Sequence, residues 1–363
     1  MKKDFLINSS EVNAYTIPTD FSEADGTLEW NSTTIIIVTL VAENKKGIGY
    51  TYATTASARI IQDLLFPLLQ NKNPLDIPIL REKMYGAIRN NGRYGICSMA
   101  ISAVDNALWD LKAKLLNVPL VSLLGKMKDG IPVYGSGGFT TYSNKQMEKQ
   151  FSEWMELGIK MFKMKIGRSF EDDKKRIAEA RKIIGSAELF IDANGAYSVK
   201  QAIEAADYAS QFNVKWFEEP VSSDNLEGLN FLREKLPMNI TAGEYGYDSI
   251  YFRSMLEENA VDVLQLDATR CGGISGFLEA AVLSKSFFIP ASAHTAPSVH
   301  IAPCCSVSNV QHIEYFHDHA RIEKMFFDGV IIPKDGILYP DLSRNGIGIE
   351  LKEKDAEKFK VGF

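Results

Sequence analysis

The sequence predicts an α/β protein in which a parallel βα barrel follows a smaller α+β domain. Three observations predict it. First, short apolar runs recur through the C-terminal two-thirds: MFKMK, LFID, WFEE, ITAGE, VLQLD, IPASAH and HIE. Runs of this length, rich in β-branched and aromatic residues, read as buried strands, and the amphipathic stretches between them are long enough for helices. A repeating βα unit of this kind closes into a parallel barrel. Second, the runs end in Lys165, Asp192, Glu218, Glu244, Asp267, His294 and Glu314, at steps of 20 to 27 residues. In a barrel these ends share one mouth, the face on which barrel active sites lie. Third, residues 1–128 order strands before helices, as an α+β domain does.

Each element has its own warrant. NAYTI, TTIIIVTLVAE and GIGYTYAT read as strands of the first domain. SMAISAVDNALWDLKAKLL reads as a helix, because Ile101, Val104, Leu108, Leu111 and Leu115 keep helical spacing. NVPLVSLLGKMKDG, punctuated by Pro119, Gly125 and Gly130, is expected to link the first domain (1–128) to the barrel (129–335). Barrel strands are expected at IPVYGSGGF, MFKMKIG, ELFIDANG, VKWFEEP, NITAGEY, VDVLQLD, FFIPASAH and HIEYF. FFDGVIIPKDGILYP and a polar tail follow, and residues 336–363 are expected to return to the first domain.

Bulk properties narrow the function. The 363 residues suit one large domain plus a smaller one, and 45% hydrophobic with 24% charged residues is ordinary for a globular protein. A net charge of −6, without a basic stripe, argues against nucleic-acid binding. Cys97, Cys271, Cys304 and Cys305 show no CxxC spacing and suit buried apolar positions. The N-terminus lacks the apolar core of a signal peptide, and no run approaches the ~20 residues of a membrane span. A cytoplasmic protein acting on a small molecule is the expectation.

The polar ring carries the chemistry. Asp192, Glu218 and Glu244 end three successive strands, and adjacent strands lie about 5 Å apart. Three anions this close call for a cation, and oxygen-only ligation selects a hard ion such as Mg²⁺. Lys163 and Lys165 alternate on one strand, so their side chains point the same way. Each ammonium depresses the other's pKa and a metal adds charge, so Lys165 is expected to be a neutral base. Asp267 can hold one nitrogen of His294 from the adjacent strand, leaving the other nitrogen for proton transfer. Glu314 faces the mouth two residues past His312, and if protonated, as buried acids can be, it would donate a hydrogen bond. His300, His312, His317 and His319 read as core or rim residues, the last two in a loop.

These motifs resemble the enolase superfamily, and within it the mandelate racemase subgroup. The residues that carry the likeness are KMK (163–165), DANG (192–195), FEEP (217–220), GEY (243–245), LDATRCGG (266–273), SAH (292–294) and HIEYF (312–316), with ALWDLKAKLLNVPLVSLLG (107–125) ahead of the barrel. The resemblance implies a modified (β/α)7β TIM-type barrel under an N-terminal α+β capping domain, and a homo-oligomer. It implies Mg²⁺ on Asp192, Glu218 and Glu244, bases at Lys165 and at His294 with Asp267, and Glu314 as an electrophilic acid. Tyr245 stands where the family often has Asn. Muconate-lactonising and dipeptide-epimerising relatives use a second lysine on strand 6, where this chain has Asp267 and Arg270.

Such a site abstracts the proton next to a carboxylate and makes an enediolate, whose charge the metal, Lys163 and Glu314 stabilise. The resemblance implies dehydration of a sugar acid to a 2-keto-3-deoxy acid, with a racemase or epimerase of a 2-hydroxy acid as the alternative. A non-catalytic carboxylate-binding protein is a remote third reading. Capping loops around 18–30 and 50–57 are expected to choose the substrate. Asn194, Arg270, Asp20 and Phe21 are the candidates for contacting it, and Phe21 with Trp30 leaves an aromatic substrate open.

Overall fold

The computed structural model describes residues 5–363. Three long antiparallel strands open the chain: β1 (Ser9–Ala24), β2 (Glu29–Ala42) and β3 (Lys45–Tyr52). The continuous apolar run of β2 arises because both faces of this sheet are covered. Ile36, Val38 and Leu40 pack with the helix Ile96–Leu115, while Ile35 and Ile37 join the core shared with the barrel. Alternate residues of a strand point to opposite faces, so a doubly covered strand loses its polar alternation. The helix lies so close to β3 that a Cβ at Gly49 would sit 2.2 Å from the Ala103 carbonyl oxygen. Only glycine permits that approach.

The barrel strands are β4 (Ile131–Gly137), β5 (Met161–Lys165), β6 (Glu188–Asp192), β7 (Val214–Glu218), β8 (Asn239–Ala242), β9 (Val263–Leu266), β10 (Ala291–Ala293) and β11 (Val310–Phe316). They pair in sequence order, all parallel, and β11 closes onto β4. The segment expected to be a plain linker contains a short helix, Leu120–Leu124. The last strand, Lys360–Val361, pairs antiparallel with β1. All four cysteines are buried and free. No helix among the described residues is long and apolar enough to cross a membrane.

Many contacts seat the first domain on the barrel, among them Thr51, Ser98 and Asn106 donating to the Thr269, Arg270 and Ala268 carbonyl oxygens, and two sit at opposite sides of the mouth. The helix His317–Phe326, which follows β11, carries Glu323 and Asp318. Glu323 accepts from the Tyr50 hydroxyl at 2.5 Å, and Asp318 accepts from Thr33. On the other side, the turn between β1 and β2 rests on the rim. A Cβ at Gly26 would meet the Ala193 carbonyl oxygen at 2.3 Å and that of Ile166 at 2.8 Å.

Candidate active site

Strand register builds the floor of the site. Lys165 pairs with Asp192 across β5 and β6, and Asp192 pairs with Glu218 across β6 and β7. One row therefore carries an ammonium and two carboxylates. Lys163 lies two residues below Lys165, on the same face. Its Nζ reaches Glu218 Oε1 at 2.6 Å, Glu314 Oε1 at 2.7 Å and Asp192 Oδ2 at 3.3 Å, and it sits over the Tyr134 ring. The Lys165 Nζ donates to Asp192 Oδ2 at 2.6 Å and to the Asn194 side-chain carbonyl at 3.0 Å.

Glu244 follows β8 after Gly243, and Asp192, Glu218 and Glu244 each offer a carboxylate oxygen within 4.8 Å of the others, all buried. The crowding raises one of them, while at Glu244 burial is outweighed by His294, which holds that carboxyl below the usual value. Burial first, and then the charge of Asp192, pushes the Glu218 carboxyl up to about 8. The adjacent Glu219 is also raised, by burial and then by Glu244. The buried Glu244 Oε2 has no well-aligned donor, although His294 Nε2 lies 3.2 Å away. An all-oxygen donor set with excess buried negative charge fits a hard divalent cation.

Across the mouth, Asp267 follows β9 and His294 follows β10. The His294 Nδ1 lies 2.8 Å from Asp267 Oδ2, and Asp267 Oδ1 accepts from the Thr269 N–H at 2.6 Å and its hydroxyl at 2.7 Å. The aspartate thus fixes the ring through Nδ1 and leaves Nε2 toward Glu244 and Glu314, at 3.2 and 3.6 Å. Burial alone would lower the His294 pKa, but Glu244 and then Glu314 outweigh it and raise it to about 9. Arg270 bridges the two halves. It donates to the Glu244 carbonyl oxygen at 3.1 Å, approaches Asp267 Oδ2 at 3.5 Å and lies over the Tyr245 ring.

The acids around Lys165 set its basicity. Burial would lower its pKa and the charge of Asp192 raises it; a cation on Asp192 would oppose that pull, in the direction a neutral base needs. Burial would raise the Glu314 carboxyl, yet Lys163 and then His294 bring it down to about 2. It accepts from Lys163 and from the Thr295 N–H at 3.2 Å.

Asp20 and Phe21 do not line the cavity above the ring. Asp20 lies 3.4 Å from His317 Nε2 and 3.5 Å from Arg321 Nη1, and Phe21 packs edge-on against Tyr142 beside a neighbouring depression. A register shift between Pro18 and Glu23 accompanies this arrangement, in which Glu23 is buried inside instead. His317 and His319 begin a helix rather than lying in a loop.

The cavity encloses about 400 Å³, within the range of small-molecule pockets. The barrel contributes Lys165, Asn194, Glu244, Arg270, His294 and Glu314, half of the twelve expected residues. Lys163, Asp192 and Asp267 lie in direct contact with these, and Glu218 with Lys163. Sequence reasoning missed His319, which lines the cavity with its ring stacked on Tyr52 at 3.4 Å between centroids. It also missed Glu219, although FEEP signals a second acid beside the first.

Comparison with known proteins follows from this geometry. Residues 146–356 match the enolase C-terminal domain-like family, and residues 14–125 match the N-terminal domain of the mandelate racemase / muconate lactonizing enzyme family.

The chain belongs to the mandelate racemase / muconate lactonizing enzyme family of the enolase superfamily.

Among family members, a mandelate racemase/muconate lactonizing enzyme-like protein from Rubrobacter xylanophilus superposes with a TM-score of 0.96 at 45% identity, over 98% of this chain and 100% of that one. A racemase from Streptomyces coelicolor A3(2), solved with bound magnesium, gives 0.93 at 26% identity, over 98% and 100%. Arabinonate dehydratase of Saccharolobus solfataricus is 29% identical over 341 residues, 90% of each chain. The family's curated relatives of this chain include other sugar-acid dehydratases and cycloisomerases.

Proposed function

We propose that the chain is a Mg²⁺-dependent enzyme that removes the proton α to a carboxylate and dehydrates a sugar acid to a 2-keto-3-deoxy acid. The observation that carries this reading is one cavity lined by Lys165 on one flank, by His294 backed by Asp267 on the other, and by carboxylates that fit a cation between them. Asp192, Glu218 and Glu244 would hold Mg²⁺, and the ion would supply positive charge that acidifies the proton next to a bound carboxylate.

The chain's own groups do the rest. Either Lys165 or His294 takes the α-proton, according to the configuration of the acid. His294 gives a proton from Nε2 to the departing β-hydroxyl, which leaves as water, and the enol becomes the ketone. Asp267 holds the ring in the orientation that exposes Nε2. Lys163, fixed by Glu218 and Glu314, adds a permanent positive charge beneath the reacting carboxylate.

In this reading residues 1–128 cap the barrel of 129–335 and choose the acid, with 336–363 returning to the cap. The pairing of Lys360–Val361 with β1 supports the return. Further copies of the chain are expected partners by family resemblance.

The second reading, a racemase or epimerase, is favoured by the presence of two proton carriers in one cavity. Both readings share the first proton transfer. A screen of an acid-sugar library for 2-keto products, with and without Mg²⁺, tests the proposal. Metal-dependent 2-keto product is expected. Inverted stereochemistry without loss of water would favour the second reading, and an acid that binds without α-proton exchange would leave only the non-catalytic one.

A further inference from the structure

The cap side of the cavity differs in chemistry from the barrel side. Ser32, Thr33, Thr34 and Thr54 are small hydroxyl residues of the lining, with the Thr33 hydroxyl donating to Asp318 and the Thr34 hydroxyl paired with that of Thr16, and Leu28 and Trp30 add apolar residues. Among the described residues lining the cavity, Lys and Arg come from the barrel alone. Each of those is already engaged at the reacting end, Lys165 by Asp192 and Arg270 by Glu244 and Asp267. The nearby cations outside the cavity are also engaged: Arg168 with Glu29 at 3.0 Å, and Arg321 with Asp318 and the Pro18 carbonyl oxygen.

Among the described residues, the one carboxylate that the cap adds to the lining is Asp25, in addition to the Tyr52 phenol, whose pKa burial raises. Asp25 Oδ1 accepts from the N–H groups of Thr27 and Leu28 at 2.6 and 2.7 Å, which fixes it at the rim of the cap. His319 adds no charge, because burial holds its pKa well below the usual histidine value. Its Nδ1 is buried without a hydrogen-bond partner among the described residues.

We infer that the acid taken by this site carries one carboxylate: an aldonate, whose remote end bears hydroxyls, rather than an aldarate with an acid at both ends. This inference rests on the reading of the barrel site given above. A first carboxylate meets the cation-binding acids and Lys163. A second would leave water for a wall with no free cation, and would face the like charge of Asp25. Hydroxyls lose nothing there, since Ser and Thr side chains both donate and accept. Leu28 and Trp30 can cover the C–H faces of the sugar chain.

The test compares kcat/KM of the Mg²⁺-loaded enzyme for pentonates and hexonates with that for the diacids of the same configuration. Exchange of the α-proton in D₂O is followed in the same samples. The aldonates are expected to be preferred by about 100-fold or more, the scale on which a buried unpaired charge is rejected. Thr54→Arg, at the exposed edge of the wall, is expected to move the ratio toward diacids by about tenfold. Thr54→Gln, neutral and long, is expected not to. A diacid used as well as its aldonate would overturn the inference while leaving the proposed chemistry standing. If neither class exchanged its α-proton, the proposed chemistry itself would fall, and this inference with it. Should Thr54→Arg prove misfolded by circular dichroism, the wild-type ratio alone decides.

Discussion

Within one cavity, the barrel side carries Lys165, Glu244, Arg270, His294 and Glu314, while the cap side carries Ser32, Thr33, Thr34 and Thr54. The barrel groups come from strand ends and are locked by ion pairs of 2.6 to 3.6 Å. The cap groups come from β2 and the end of β3. They rest on the apolar core shared with the barrel and on hydrogen bonds such as Tyr50 to Glu323, Thr33 to Asp318 and Thr51 to the Thr269 carbonyl oxygen, with Gly26 seated on the rim. Charge chemistry needs fixed positions, because each carboxylate sets the ionisation of its neighbours. Choice of substrate needs only a surface of the right polarity. The two sides therefore differ in what a substitution should do: in the barrel it removes the reaction, and in the cap it changes which acid reacts or how tightly the cap closes.

The sharpest contrast comes from Glu218. Glu218→Gln keeps the shape of the side chain but removes one of three charges from the cation-binding set. Turnover is expected to fall by about 10³-fold or more, and isothermal titration with Mg²⁺ should show weakened binding. Full activity with unchanged Mg²⁺ affinity would show that these acids do not hold the ion.

A smaller effect is expected at the cap seat. Gly26→Ala forces a Cβ against the carbonyl oxygens of Ala193 and Ile166. The turn must lift off the rim, which loosens the wall without touching the ring. KM is expected to rise by about tenfold, for a loss on the order of 1.4 kcal/mol of binding, with kcat and Mg²⁺ affinity changed less. If kcat fell and KM held, the turn would belong with the chemistry rather than with closure.

The mildest test concerns the fold of the cap alone. Glu23 is fully buried, accepts from the Trp30 ring N–H at 3.0 Å and lies near Asp318. Burial, and then the charge of Asp318, raise its carboxyl from the ordinary 4.5 to about 8. The sign follows from which form folding favours. The neutral acid suits the folded chain, so its contribution is complete below about pH 4.5 and is lost as pH climbs through about 8. Glu23→Gln cannot ionise. Measured by thermal melting, its stability relative to wild type should rise across that window, by on the order of 1 kcal/mol or more. A constant difference from pH 4 to 9 would show that Glu23 does not titrate within that window.

The same contrast explains what could be read in the sequence. The ring was legible because a barrel fixes one residue per strand end at a regular interval, and charged residues at the ends of apolar runs are conspicuous. The cap wall was not legible, because Ser32, Thr33 and Thr54 look like ordinary strand and loop residues until the fold turns them toward the mouth. Asp20 and Phe21 were natural candidates in a polar loop. The irregular pairing between Pro18 and Glu23, which no residue pattern announces, goes with their place outside the cavity. The lowered Glu314 carboxyl depends on Lys163, which is 151 positions earlier in the chain and 2.7 Å away in space. Similarly, His319 gains its place in the cavity from a helix that grips the cap through Asp318 and Glu323. Local pattern could place strands and charges, but not contacts made only when two distant segments close on one another.

The division between barrel chemistry and cap choice is tested most directly by following α-proton exchange in D₂O by NMR. The Mg²⁺-loaded wild type, Lys165→Ala and His294→Asn would each be incubated with the acid that the library screen identifies and with its epimer at the α-carbon. Wild type is expected to exchange the α-proton of its substrate, and each variant to lose exchange with one epimer by about 10²–10⁴-fold while retaining it with the other. Exchange by both variants at the wild-type rate, or exchange in wild type that is indifferent to Mg²⁺, would contradict the account.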